Sequence, residues 1–542
     1  MRIRSHEHAF LHGYTDRLSV PQGGKIGFCV STDLANFGVK IARIGIKRRT
    51  VWSQQGIVGI EHAIPDDAAQ NGCDWPVSFS VDIGSDWPSG YYHVLLYGQD
   101  SNGNSVQGEA SFVVRSAFPG RDTPILFQRP TNTEAAYNSW GGYTFYNGPD
   151  GPARRLSFDR PFAGFPSMAQ FRFTMGTEFV DELDSQVTSQ ALTNVLKANG
   201  IAVSPYSSVQ VECPGKRWHI LDVGFLSTIE KNNNRLIVFD GFSTWLSCWH
   251  HWERHFVFWA EQQGYNLDYA VNSDLEYHPE ILSDYRLVLS VGHDEYWSAP
   301  MRDNLEGFID TGGNVAFLSG NVCWWQVRSE DNGRTIVCYK EDYKTDDPNY
   351  ACGDHATLST LWCNRLIGRP ENQLTGVSFA YGGYHGFFSA TPQTGAYTVH
   401  RPEHWLFNGT GLEQNDLLGE KDQIVSYECD GCEIEIVDGL PAPTFRDGTP
   451  ETFQVLATAP AALSDADDSI SMATEAIYGV NDGEPLASGN AVLGTYTRNG
   501  TVVTTGCTDW CMGLAGNDPN VCLITRNILD GLSKHCTKKT LS

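Results

Sequence analysis

Between residue 18 and about residue 116 the apolar positions fall in short runs: KIGFCVST, VKIARIGI, VSFSVDI, YYHVLLYG and ASFVVRS. These runs are rich in β-branched and aromatic side chains, and turn-forming clusters (PQGG, DWPSG, QDSNGN) separate them. Short strands at even spacing predict an all-β module over residues 1–118, an immunoglobulin-like β-sandwich.

The pattern changes at PGRDTPILFQRP, where PILFQ is a short apolar strand. From about residue 234 strands alternate with helices. RLIVF is followed by a helix over 248–264 that ends at Gly264, then by YNLDYAV and YRLVLSVG. Next come a helix capped by Ser298 and stopped at Gly312–Gly313, and then NVAFLSG. Met301, Leu305, Phe308 and Ile309 recur at helical spacing and give that second helix one buried face. Continuous apolar strands joined through helices predict a doubly wound α/β domain over 119–370. Residues 173–232 read as an insertion with one helix at SQALTNVLKANG. Residues 371–542 predict a β-rich extension packed on the α/β layer, with a hairpin turning at Arg498-Asn499-Gly500 and a closing helix from Val521 to Lys534.

Composition narrows the function classes. The 542 residues suit several domains, and 27 Phe, 22 Tyr and 15 Trp favour rigid packing over disorder. With 38 basic and 64 acidic residues the net charge is -26, so the basic footprint of a nucleic-acid partner is missing. No apolar run reaches the roughly 18 residues that a membrane span needs. The segment MRIRSHEHAFLHGYTDRL lacks the apolar stretch of a secretory signal, and the expected location is cytoplasmic. The 14 Cys are scattered; Cys429/Cys432 and Cys507/Cys511 are close pairs with no zinc-finger partner spacing, so reduced thiols are expected.

In a doubly wound sheet, chemistry collects at the carboxyl ends of the strands. Three such ends carry polar and aromatic residues: RPTNTEAAYNSWGGYTFYNG after PILFQ, GHDEYWS after YRLVLSV, and NVCWWQVR after NVAFLSG. No G-x-S-x-G elbow and no H-E-x-x-H motif is present, which disfavours an α/β-hydrolase serine enzyme and a zincin.

The succession AYN, GG-Y, RPF, a W-x-x-x-F-x-x-W helix, GHDEYWS and GN-x-x-WWQVR resembles the catalytic half of the large subunit of N,N-dimethylformamidase, over about residues 120–435. The resemblance implies a glutamine-amidotransferase-like α/β domain and a hydrolase acting on a small N-substituted amide. It also implies one iron ion, expected as Fe(III), held by two tyrosinates and a glutamate. Carried over, the glutamate is Glu295 and one tyrosine is Tyr137; the second tyrosine is assigned to Tyr92, with Tyr97 and Tyr146 as rivals. His293 is expected to support a ligand or move a proton, Asn321 to hold substrate or water, and Glu428 to act as general base, with Asp430 as its neighbour and competitor. A homo-oligomer is expected, with a possible small accessory subunit, although this chain starts almost directly at the sandwich and has the extra stretch 173–232.

Phenolate and carboxylate are hard oxygen donors, matched to ferric iron rather than to a thiophilic ion. A phenol titrates near pH ~10, so it binds at neutral pH only where a metal's charge lowers that value. Each residue also has a structural reading: Tyr92 as sandwich core, Tyr137 as an aromatic wedge, Glu295 and Glu428 as buried ion-pair acids, His293 as a loop histidine, Asn321 as a turn residue. Trp140, Trp324 and Trp325 either wall a small apolar pocket or pack the core. The competing classes are a non-catalytic binding or assembly protein, marked by the absence of iron, and a carbohydrate-active hydrolase, for which no motif is present.

Overall fold

The computed structural model describes residues 9–163, 249–385, 394–464, 468–480, 486 and 488–534, and the backbone of 208–213, 216–220 and 237–239. It divides into two compact units: residues 1–87, 91–112 and 134–251, and residues 88–90, 113–133 and 252–542.

The first unit carries a three-stranded sheet and a five-stranded sheet. Strand Lys25–Thr32 pairs antiparallel with Leu11–Thr15 and Val77–Asp82; Asn36–Ile44 pairs antiparallel with Arg48–Val58 and Gly90–Gln99. Rings join the two layers: Phe28 lies against Phe112, and Phe79 against Phe37 and Trp52. All five expected apolar runs form strands. Arg48–Val58 was not among them, because an edge strand reading RRTVWSQQGIV is mostly exposed and lacks an apolar signature.

The second unit is built on a nine-stranded sheet. We label its strands β1 (Ile125–Arg129), β2 (Asp268–Val271), β3 (Leu287–His293), β4 (Asn314–Gly320), β5 (Tyr397–Val399), β6 (Leu417–Leu418), β7 (Gln454–Ala461), β8 (Gly489–Thr497) and β9 (Thr501–Thr504). Their spatial order is β2-β1-β3-β4-β9-β8-β7-β5-β6. The first five in that order are mutually parallel and the rest antiparallel. The five parallel strands thus follow the 2-1-3-4-5 arrangement of doubly wound sheets.

Helices cover both faces. Six matter here: α1 (Thr131–Tyr137), α2 (Glu253–Gln262), α3 (Asn272–Tyr277), α4 (Ala299–Asp310), α5 (Trp510–Ala515) and α6 (Pro519–Ser533). Neighbouring residues of β1 point to opposite sides. Phe127 stacks on Phe256 of α2, while Leu126 joins a cluster with Leu275 of α3 and Met301 and Leu305 of α4. Helix α4 begins where expected, with Ser298 Oγ accepting the Met301 N–H. Helix α6 starts two residues before the expected Val521, where Asp518 accepts the N–H groups of Asn520 and Val521 and Pro519 opens the first turn.

Two of these expectations need revision. RLIVF contributes Ile237–Phe239, but that strand pairs antiparallel with Ser208–Cys213 in a small separate sheet and not with the parallel strands. The helix expected at residues 189–200 lies outside the described residues. Segment 371–542 does not simply lie on the α/β layer. It supplies β5–β9 to the same sheet, because β7 and β8 are apolar on both faces and need neighbours on each side.

One buried acid marks this second unit. Arg302 of α4, wholly buried, binds Glu306 at 2.7 Å, lies over the Trp362 ring and donates to the carbonyls of Arg369 and Pro370. The next residue, Glu371, accepts from Ser378 while its second oxygen has no partner. Burial pushes the Glu371 carboxyl up to about 7. A raised folded-state value favours the protonated form, so this contribution to stability is complete below pH ~4.5 and is lost as pH rises through ~7. Replacing Glu371 by Gln should flatten that loss, improving the variant relative to the parent by about 3 kcal/mol at pH ~8.5 over pH ~4. Denaturant unfolding of both proteins at the two pH values measures it; parallel pH profiles would refute it.

Candidate active site

The carboxyl ends of β3 and β4 lie side by side, His293 opposite Gly320 in register. A glycine stands at or beside each end. Gly292 holds φ +83°, and a Cβ there would come within 2.5 Å of Trp252 Cβ. Gly320 has no room either: a Cβ would come within 2.5 Å of the Glu428 carbonyl oxygen and 2.6 Å of the Thr508 nitrogen. The strand Glu428–Gly431 therefore runs directly against the end of β4. It is stitched to the segment after β9 by Asp430 N–H to Gly506 O and Thr508 N–H to Glu428 O, with Cys429 facing Cys507. No disulfide joins the described cysteines.

These turns bring three ionisable groups together without solvent. His293 Nε2 lies 2.7 Å from Glu428 Oε2 and 3.3 Å from Glu295 Oε2, all three side chains being at most 3% exposed. Burial alone would depress His293, but the carboxylates of Glu428 and Glu295 lift it well above its ordinary value. Burial in turn raises Glu428, against the pull of His293. The trio thus keeps a proton on the imidazole. The Trp252 and Tyr427 rings meet His293 edge-on, and both are tied to Asp509, Trp252 by its indole N–H and Tyr427 by its backbone N–H.

Glu295 is set by its backbone: its N–H donates to Thr133 Oγ1 and its carbonyl accepts from Trp325. The adjacent Asp294 turns away from His293 to accept from Ser290, and burial raises it to about 6. Asn321 adopts a left-handed backbone, φ +49°. Its N–H and that of Val322 donate to the two carboxylate oxygens of Asp430, at 2.9 and 3.1 Å. Its side chain hydrogen-bonds Glu428, and its Oδ1 is a buried acceptor without a partner. Asp430, the competitor for the role of base, is thus occupied in holding this turn.

A run of rings leads onward from His293 through Tyr427, Tyr384, Phe379 and Trp324 to Trp325 and Tyr296. The Lys340 ammonium lies over Trp325 and Tyr296, almost fully buried. Sequence reasoning missed Lys340, Tyr384 and Tyr427; nothing in CYKED or its flanks marks that lysine, whose ammonium meets rings from other strands.

The tyrosines belong to the first unit. Tyr137 ends α1, and its hydroxyl donates to the Tyr146 hydroxyl at 2.9 Å, ring centroids 4.7 Å apart. The Tyr92 ring is stacked between Trp87 and Phe112, and burial raises its phenol. Tyr97 lies near the surface and accepts from Gln55. Trp140 packs edge-on against Trp75 and His12. Among the described residues no group of three or more His, Cys, Asp or Glu is arranged to hold a metal ion. A separate cleft of about 370 Å³, lined in part by Trp405, Thr497 and Thr501, lies at the opposite, amino-terminal end of β9. No helix among the described residues is long and apolar enough to cross a membrane.

Comparison with known proteins bears on the family. The chain is 23% identical over 293 residues to the N,N-dimethylformamidase beta subunit of Paracoccus aminophilus, and 22% identical over 301 residues to that of an Alcaligenes species. Each match covers 52% of this chain and 36% of the relative, so the chain spans only about a third of the length of these proteins. Among solved structures, the soluble domain of PmoD from a Methylocystis species aligns with 19% of the chain and 90% of its own, at 12% identity and a TM-score of 0.13, too low to bear on the fold. Residues 38–522 match the family model described as N,N-dimethylformamidase beta subunit-like, C-terminal, and the chain belongs to that family.

Proposed function

We propose that this chain carries the active site of an iron-dependent amidohydrolase, which cleaves the C–N bond of a small N-substituted amide such as a formamide to a carboxylic acid and an amine. The observation that carries the reading is the buried contact of His293 with Glu295 and Glu428, beside the unpartnered Asn321 oxygen. The name of the relatives points the same way.

Carboxylate and phenolate are the hard oxygen donors that a trivalent ion takes, and Glu295 and the hydrogen-bonded Tyr137–Tyr146 pair carry them. Tyr146 suits the second tyrosine position better than Tyr92, whose ring is packed on both faces. When bound, the ion would polarise the amide carbonyl and acidify a water molecule.

The protein's own groups do the rest. Glu428, made more basic by burial, takes the proton from the attacking water and returns it to the leaving nitrogen. His293 holds the Glu428 carboxylate in place and offsets its charge. Asn321 Oδ1 accepts a hydrogen from the water or from the amide nitrogen. The rings from Tyr427 to Trp325 offer apolar contact to short N-alkyl groups. The relatives are named as beta subunits, and we extend this to an oligomer here, with a small accessory subunit.

Glu428→Gln should retain bound iron and lower kcat by roughly 10²–10⁴-fold on short formamides; turnover at the parental rate would remove Glu428 from the role of base. Glu295→Ala should lose both iron, by elemental analysis, and turnover; retention of both would end the ligand assignment. Asp430→Asn can accept through only one oxygen, so one of the two turn N–H groups loses its partner. The expected cost is roughly 1–3 kcal/mol, with faster hydrogen exchange at Asn321 and Val322; unchanged exchange there would contradict the account.

A further inference from the structure

We infer that Arg160 is the positioning residue for the Tyr137–Tyr146 phenol pair, an inference that rests on the iron-binding role proposed for Tyr137. Arg160 is 3% exposed and has no carboxylate partner among the described residues. Its guanidinium instead gives its N–H groups to five backbone carbonyls, those of Ala135, Asn138, Trp140, Tyr143 and Ser157. A guanidinium has five such donors in a rigid plane, and burying it without a counter-charge is costly. Four of the five carbonyls, all those that Nη1 and Nη2 reach, lie on one piece of backbone.

That piece is the connection between the two tyrosines. Ala135 lies in the last turn of α1, which ends at Tyr137, and Asn138, Trp140 and Tyr143 lie on the path to Tyr146. Gly141 and Gly142, at φ +88° and +89°, let this path turn back. Phe145 N–H then reaches Ala136 O, and Thr144 Oγ1 accepts from Tyr146 N–H and Asn147 N–H. The loop closes on itself with Arg160 inside it. The Asn138 side chain adds a second tie to the Arg160 segment, donating to Pro161 O and accepting from Ala163 N–H. A cation beside the carbonyls at the end of α1 is electrostatically favoured.

The test compares the full-length parent with Arg160→Lys and Arg160→Ala, each purified metal-free and then reconstituted with ferric citrate. Lysine keeps the charge but is a point donor, unable to gather carbonyls spread over a plane. Both variants should exchange the amides of residues 138–147 at least tenfold faster in the metal-free state, with the β1–β4 amides unchanged. Both should also lose most of the visible phenolate-to-iron absorption, while Glu428→Gln keeps it. Ethylguanidinium added to Arg160→Ala should restore the slow exchange and the colour. Parental exchange and colour in Arg160→Lys would overturn the inference, as would failure of ethylguanidinium to rescue the alanine variant or a general loss of protection across β1–β4. If the parent itself shows no phenolate absorption, the iron reading fails, and the exchange and its rescue alone decide the role of Arg160.

Discussion

An imidazole and two carboxylates shut away from water form the constraint around which the second unit is organised. Isolated burial of any one of them would be prohibitive, because an unpaired charge in a dry interior costs several kcal/mol. Together, at 2.7 and 3.3 Å, they offset one another. The arrangement is stable only while three separate stretches of chain stay in register: the end of β3, which bears His293 and Glu295; the strand that bears Glu428; and the turn after β4, which supplies Asn321. Much of the surrounding hydrogen bonding serves that registration rather than the bulk of the core.

The means of registration are local and specific. Gly320 removes a side chain so that the backbone of Glu428 can come close. Asp430 grips the first two amides after β4. Asp509 takes the indole of Trp252 and the amide of Tyr427, the two aromatic residues that bracket His293. Asp430, the acid that competes with Glu428 in the sequence, is engaged with neighbouring polar groups, as are the buried Asp294 and Asp509.

Much of this architecture was legible beforehand because its signals are local. Apolar runs mark β1, flanked by prolines, and β3 and β4, closed by glycine, and Ser298 marks the start of α4. Function at the strand ends follows from the topology that those runs imply. What escaped is non-local. The polar edge strand Arg48–Val58 is specified by pairing with Asn36–Ile44, not by its own pattern. The participation of β7 and β8 in the main sheet depends on partners far along the chain. Periodicity cannot distinguish a tyrosine clamped between two rings, Tyr92, from one whose hydroxyl meets another phenol, Tyr137, since both read as buried aromatics. Lys340 acquires its surroundings from Trp325 and Tyr296 through a turn that carries no signature.

The strand order also governs when the site can exist during synthesis. β9, far downstream of β4 in the sequence, inserts beside it and leads into the segment that anchors Glu428. Residues as far as Thr508 must therefore be synthesised before Glu428 can be held against His293. Until then the edge of β4 is open and the histidine lacks its companion, so the nascent protein passes through an interval in which its central sheet is incomplete and in need of protection from aggregation.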